Sequence, residues 1–187
     1  MENSIRFTIN SWTILVPIFL FFLTRIIYLA KYKNFKYTYV QYTLLTTFVI
    51  YSLCVIHLVL FPIDVNIGLY ANQSPWYNSI DFIPILTIDL KTFILNIVMM
   101  IPFGMYLPLI ANKIDSAKKV AKLAFLVSLS IEIIQYIIGA TLGSLRSSDI
   151  NDIIANTIGA VLGYILINKL LKYKLFKNIL TNNYPRV

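Results

Sequence analysis

Residues 149–171 read DINDIIANTIGAVLGYILINKLL, and this stretch decides the fold. Its apolar part is close to the ~20 residues that a helix needs to cross about 30 Å of hydrocarbon. Polar and small residues recur along it at intervals of three and four, which places them on one helical face. They are Asp149, Asp152, Asn156, Gly159 and Gly163. The stretch therefore predicts a membrane-spanning helix whose packing face begins with acids and continues into a GxxxG pair, where another helix can approach closely.

Four further apolar stretches of similar length precede it, and the five predicted spans are 12–30, 42–61, 92–110, 120–138 and 153–171. The chain is 58% hydrophobic and only 13% charged, a composition that excludes an ordinary soluble domain. We predict an all-α fold, a polytopic transmembrane helical bundle of about five spans. The single cysteine, Cys54, lies within a span, so neither a disulfide nor a cysteine metal cluster is available. No metal site and no cofactor are predicted.

The charged residues sort by predicted side of the membrane. Most of the 16 lysines and arginines follow the first, third and fifth spans, whereas most of the eight acids lie in the other segments. The positive-inside rule then predicts an outside amino terminus and a cytoplasmic carboxy terminus. The net charge of +8 lies in short juxtamembrane segments. That placement indicates topology and contact with anionic lipids rather than nucleic-acid binding.

With this orientation, the strongly polar side chains within the spans fall in the outer half of the membrane. Asn96 lies in the third span, Glu132 and Gln135 lie in the fourth, and Asn156 lies in the fifth. Arg146, Asp149 and Asp152 occupy the outer loop between the last two spans. Because ionisable groups in a membrane usually face a bundle interior or a water-filled cavity, we predict one polar pocket that opens outward.

Simpler structural roles account for several of these residues. Asp149 is favoured as a helix cap, and Asp152 suits the first turn of a helix for the same electrostatic reason. Arg146 could hold lipid phosphate or line the pocket. Asn156 and Gln135 could hydrogen-bond between helices, and Gly104, Gly159 and Gly163 are candidate packing positions, with Pro102 expected to kink the third span. His57 is expected to be structural.

Glu132 is the hardest residue to explain by structure alone. A carboxylate at that depth should be protonated or paired, and Arg146 is the nearest candidate partner. Glu132 is therefore the candidate catalytic residue, and no other catalytic residue is assigned.

Several motifs together resemble the VanZ-like family. They are residues 96–104 (NIVMMIPFG), residues 130–135 (SIEIIQ), residues 146–159 (RSSDINDIIANTIG), the Ile83–Pro84 pair and residues 60–62 (LFP). Asp81 stands where the family pattern leads us to expect asparagine. The resemblance implies a VanZ-like membrane domain of four spans at 39–172. An extra transmembrane helix with a basic cytoplasmic loop precedes it at 1–38, and a basic cytoplasmic tail follows at 173–187.

The named member of that family gives low-level resistance to teicoplanin, and the resemblance implies a related role here. In one hypothesis the outward pocket limits access of a lipoglycopeptide antibiotic to its membrane target. The alternative is a membrane enzyme that modifies a lipid or a lipid-linked cell-wall precursor at the outer face. Glu132 would then be the general acid or base, Asp149 and Asp152 would hold a cation or orient substrate, and Arg146 would bind phosphate.

We favour the binding hypothesis because the sequence offers no nucleophile with an adjacent base, no metal-ligand cluster and no glycine-rich phosphate loop. The expected partners are membrane lipids, a lipoglycopeptide antibiotic or lipid-linked wall precursor, and a second copy of the chain. No nucleic acid is expected.

Overall fold

The computed structural model describes residues 5–32, 38–68, 76–111, 113–144 and 146–173. Within them lie α1 (Trp12–Tyr32), α2 (Tyr39–Leu60), α3 (Leu90–Ile110), α4 (Ala117–Leu142) and α5 (Ile150–Leu170). All five helices are long and apolar enough to cross a membrane, which confirms the predicted five-span, all-α bundle. The predicted basic loop and tail lie largely outside the described residues.

Two short β-ribbons that were not predicted join the loops at one end of the bundle. β1 (Ile5–Ile9) pairs antiparallel with β2 (Ile63–Ile67), with Phe7 opposite Val65. β3 (Ile80–Asp81) follows a 3₁₀ turn at Trp76–Ser79 and pairs in parallel with β4 (Ser148–Asp149). The second ribbon places Asp81 beside Asp149, at the entrance to α5.

The helix starts use short polar caps, which satisfy backbone N–H groups that have no partner inside the helix. Asp89 caps α3 and accepts hydrogen bonds from the N–H groups of Lys91 and Thr92. The Thr92 hydroxyl also donates to Asp89, and this bond is the main reason that the pKa of Asp89 lies below its usual range. Ser116 caps α4, and Asp149 caps α5 by accepting from the N–H of Asn151.

The closest helix contact joins α3 to α5. A Cβ added to Gly159 would overlap the backbone of Ile97, and one added to Gly163 would overlap Ile101. In the opposite direction, Gly104 of α3 lies against the backbone of Ala160. Glycines from both helices thus allow the two backbones to touch, and the contact is continuous through α3 although Pro102 lies within that helix.

Three apolar clusters complete the core. Leu107, Val120, Ala124 and Ala160 join α3, α4 and α5, while Leu44, Leu109 and Ile167 join α2 to α3 and α5. The third cluster contains Phe61, Ile63 and Val65, which pack against Ile138 and Leu142 of α4. Many large apolar side chains remain exposed on the helix surfaces, as expected where lipid replaces water as the solvent.

The bundle has two chemically different ends. At the polar end, which we define by the starts of α1, α3 and α5 and the ends of α2 and α4, lie both ribbons and most acidic residues. The opposite, basic end carries Lys113, Lys118, Lys119 and Lys122. There Lys119 pairs with Asp115 at 2.8 Å, and the hydrogen bond from Lys119 is the main reason that the pKa of Asp115 is lowered.

Candidate functional site: a buried polar network at one end of the bundle

Glu132 lies at the centre of a polar network between α4 and the start of α5. Its side chain is only 3% exposed, and its Oε2 accepts a hydrogen bond of 2.8 Å from the backbone N–H of Asp149. Ser148 lies next to the Glu132 carboxylate, and the charges of Asp149 and Asp152 lie close enough to act on it. The network therefore holds Glu132 through the loop that leads into α5.

The network continues from α5 to α3. Asp149 caps α5 through a 2.8 Å bond from the Asn151 N–H, in the role favoured from the sequence. Asp152, in the first turn of α5, lies next to the side chain of Asn96. Glu132, Asp149, Asp152 and Asn96 thus form one cluster, to which α3, α4 and α5 all contribute. We call these four residues the carboxylate cluster.

One helical turn deeper, α4 and α5 are joined by a second polar contact. The Asn156 side-chain amide donates to the Ser128 hydroxyl at 2.8 Å, and both side chains are almost fully buried. Asn156 follows Asp152 by four residues, and Ser128 precedes Glu132 by four, so this pair lies directly beneath the carboxylates. Among the described residues, none donates a hydrogen bond to the Asn156 Oδ1.

Arg146 does not pair with Glu132, and that expectation is wrong. Its guanidinium donates to the carbonyl of Val59 at 2.7 Å and to that of Pro62 at 3.3 Å. Gln135 also donates to the Val59 carbonyl, at 2.9 Å. The last carbonyls of a helix have no partner within the helix, and a cation is favoured there, so Arg146 and Gln135 serve the end of α2. Of the seven predicted pocket residues, these two lie beside the carboxylate cluster but bind elsewhere.

Asn151 is a site residue that the sequence reasoning missed. It is buried, and its Oδ1 accepts from the N–H of Ile85 at 2.9 Å while its amide donates to Thr87 at 3.2 Å. Ile85 has φ 73°, a conformation that β-branched residues rarely adopt. Asn151 therefore fastens a strained turn to the start of α5. An amide in the first turn of a polar helix start was the only available signal in the sequence.

Three members of the carboxylate cluster, Asn96, Asp149 and Asp152, are half-buried. Two cavities lie outside the cluster. An apolar crevice of about 320 Å³ separates α1 from α2 and is lined by Trp12, Phe19, Cys54 and His57 among others. A polar hollow of about 440 Å³ lies beside the β1–β2 ribbon. Within the described ranges, no group of three His, Cys, Asp or Glu residues is arranged to hold a metal ion.

Chemically, the network offers hydrogen-bond acceptors and negative charge at the boundary between the bundle and its loops. The backbone N–H groups of Asp149 and Asn151 donate to its carboxylates, and the Ser148 hydroxyl and the Asn96 amide lie next to them. The contact between Ser148 and Glu132 also supplies a hydroxyl next to a carboxylate, the combination that the sequence alone did not reveal. The arrangement can therefore bind a donor or a cation, or activate a hydroxyl.

Comparison with known proteins agrees with the resemblance of the sequence motifs to the VanZ-like family. The model of the VanZ/LLP1 family matches residues 48–173, which contain the whole carboxylate cluster. Protein VanZ of Enterococcus faecium is 36% identical over 131 residues, which cover 67% of this chain and 75% of that protein. No solved structure matches the chain. Five membrane-spanning helices, the family match and this relative together show that the chain is a multi-pass membrane protein that belongs to the VanZ/LLP1 family.

Proposed function

We propose that this protein lowers the susceptibility of a bacterium to teicoplanin-type lipoglycopeptide antibiotics, acting at the outer face of the plasma membrane through the carboxylate cluster. The observation that carries the proposal is the buried Glu132, held beside Asp149 and Asp152 within the segment that matches the family. Packing alone rarely justifies a carboxylate within a membrane span, since the group is costly to bury. The similarity to Protein VanZ supports the choice of antibiotic.

In this proposal, the polar end of the bundle faces outward. The antibiotic class carries an acyl tail that inserts into the outer leaflet, so a site at the membrane boundary is well placed to meet it. Asp149, Asp152 and Asn96 are the half-buried members through which a ligand would first contact the cluster. Glu132 would stabilise the bound ligand from beneath.

The test is the minimal inhibitory concentration of teicoplanin in a susceptible Gram-positive host that expresses the chain. We expect the wild-type protein to raise this concentration and Glu132→Gln to abolish the rise at equal membrane abundance, because the variant keeps the shape but removes the charge. Asp115→Asn is the matched control, since it removes one carboxylate at the basic end. No rise with the wild-type protein, or full resistance with Glu132→Gln, would contradict the proposal.

A second candidate function, a membrane enzyme acting on a lipid or lipid-linked wall precursor, is favoured by one specific contact. The Ser148 hydroxyl lies next to the Glu132 carboxylate, the pairing in which a carboxylate can accept the proton of a hydroxyl. Ser148→Ala separates the two functions in the same assay. If the protein acts by binding, Ser148→Ala should retain most of the resistance. If it is an enzyme that uses Ser148 as nucleophile, Ser148→Ala should lose the resistance completely. Mass spectrometry of the membrane lipids should then show no modification by the variant.

A further inference from the structure

The carboxylate cluster has more negative charge than its surroundings compensate. Glu132, Asp149 and Asp152 lie within electrostatic range of one another, and Asp81 is the register partner of Asp149 in the second ribbon. Arg146, the cation expected among them, donates instead to the carbonyls of Val59 and Pro62. In the part of the chain that the structure describes, the sole side-chain ion pair is Lys119–Asp115 at the other end.

Neutral hydrogen-bond donors occupy only some of the acceptor positions on these carboxylates. An ionised carboxylate has about four lone-pair sites. The Oε2 of Glu132 accepts a hydrogen bond from the Asp149 N–H, Ser148 lies next to the same carboxylate, and Asn96 lies next to Asp152. Acceptor positions therefore remain on both side chains, in surroundings where an uncompensated charge is costly.

A second, independent observation points to a ligand that donates hydrogen bonds. Asn156 is 2% exposed, and its Oδ1 receives no hydrogen bond from any described residue. Helical side chains lean toward the start of their helix, so Asn156 leans from its position in α5 toward Asp152 and the polar end. A buried, unsatisfied carbonyl oxygen thus lies about one helical turn beneath Asp152. A buried acceptor without a donor is costly, and a bound N–H donor would remove that cost.

The turn beside the cluster is apolar and exposed. Phe82, Ile85, Leu86 and Leu90 are between 64% and 87% exposed, and the turn is fastened to α5 through Asn151. An exposed apolar patch on a loop marks a surface that contacts hydrocarbon or another apolar partner. Since Asn151 also bonds to Asp149, this patch is held within a few residues of the cluster.

We propose that the cluster binds the primary ammonium group of a membrane amphiphile, whose hydrocarbon tail lies along the turn at Phe82–Leu90. The ammonium supplies the missing positive charge, and its three N–H donors satisfy carboxylate oxygens and the Asn156 Oδ1 together. A quaternary ammonium provides the charge without the donors, and a short amine provides both without the tail. The inference rests on the proposed function only in taking the same residues as the ligand site.

The experiment is isothermal titration calorimetry of the purified full chain in a nonionic detergent, with dodecylammonium below its micellar concentration as the probe. We expect saturable binding of one probe per chain. Dodecyltrimethylammonium and methylammonium should each bind roughly tenfold or more weakly, because each lacks one half of the recognised chemistry. Glu132→Gln and Asp152→Asn should weaken dodecylammonium binding by a similar factor.

The matched control is Asp64→Asn, which removes a carboxylate of the β1–β2 ribbon at the same end of the bundle, outside the cluster. Its affinity for dodecylammonium should equal that of the wild-type chain. Equal affinities for the two twelve-carbon cations would overturn the proposal, as would equal effects of Asp64→Asn and Asp152→Asn. Should Glu132→Gln fail to fold, the half-buried Asp152→Asn still gives the comparison.

This measurement is independent of the resistance assay. If the chain binds dodecylammonium through the cluster but leaves teicoplanin susceptibility unchanged, the proposed ligand class stands and the proposed function is wrong. If the chain confers resistance that depends on Glu132 but binds the primary and quaternary amines equally, the proposed function stands and the proposed ligand class is wrong.

Discussion

At the scale of single residues, the main result is that Arg146 and Glu132, which have opposite charges, bind different groups near the polar end. Arg146 stabilises the end of α2, and Glu132 accepts a hydrogen bond from the N–H of Asp149, which leads into α5. Both residues bind backbone groups that have no hydrogen-bond partner within a helix because they lie near its end. The two residues therefore belong to adjoining contacts and not to one ion pair.

A double-mutant cycle tests this separation. Arg146→Ala should lower the free energy of unfolding by about 1–3 kcal/mol, because two carbonyls lose a charged donor. When Arg146→Ala is combined with Glu132→Gln, the effects should add to within about 0.5 kcal/mol. The measurement is reversible unfolding in mixed micelles. Gln135→Leu with Arg146→Ala is the comparison pair, since both wild-type residues bind the Val59 carbonyl and should couple. Strong coupling between Glu132 and Arg146 would show a charge pair after all.

The sequence indicated which side chains are polar and at what depth they lie, but it did not reveal their partners. Glu132, Asp152 and Asn96 meet as their shared depth suggested. The partners of Arg146 are carbonyls, which every residue carries, so no pattern of side chains distinguishes them. Asn151 was missed for the same reason, since its role depends on the backbone conformation of Ile85.

At the scale of helices, the contact between α3 and α5 determines the geometry of the site. Gly159 and Gly163 lie against the backbone of α3, and this contact places Asn96 beside Asp152. The GxxxG spacing predicted a close helix contact, and Gly104 was a predicted packing position. That α3 is the partner helix, with Gly104 against Ala160 of α5, emerges only from the fold. The four-residue interval also predicted a shared face for Asp152 and Asn156. The ribbons were not predictable, because two-residue strands such as β3 and β4 carry no periodicity.

We expect Gly159→Leu to prevent this helix contact and to lower the melting temperature strongly. An added Cβ alone would overlap the Ile97 backbone, which cannot move without separating the two helices. Ala140→Leu is the control, because Ala140 lies exposed on the surface of α4. The readout is the thermal melting of both purified variants in one detergent. If the two variants melt at the same temperature, the α3–α5 contact does not support the bundle.

At the scale of the whole molecule, acidic and basic residues are concentrated at opposite ends of the bundle, and the site lies at the acidic end. The carboxylate cluster, the capping contacts of Arg146 and both ribbons lie at the polar end, and the lysines after α3 lie at the other. The predicted orientation then places the cluster at the outer face, where an acylated antibiotic or an amphiphilic amine would approach. An inverted orientation would place the cluster toward the cytoplasm and remove the basis for contact with an external antibiotic.

Cysteine labelling in intact cells tests this central claim most directly. In a Cys54→Ser background, Ser147→Cys places a thiol at an exposed position between Arg146 and the carboxylate cluster, and Lys172→Cys places one at an exposed position at the basic end. With a membrane-impermeant maleimide, we predict that Ser147→Cys is labelled in intact cells and that Lys172→Cys is labelled only after permeabilisation. The reverse pattern would contradict the outward-facing site.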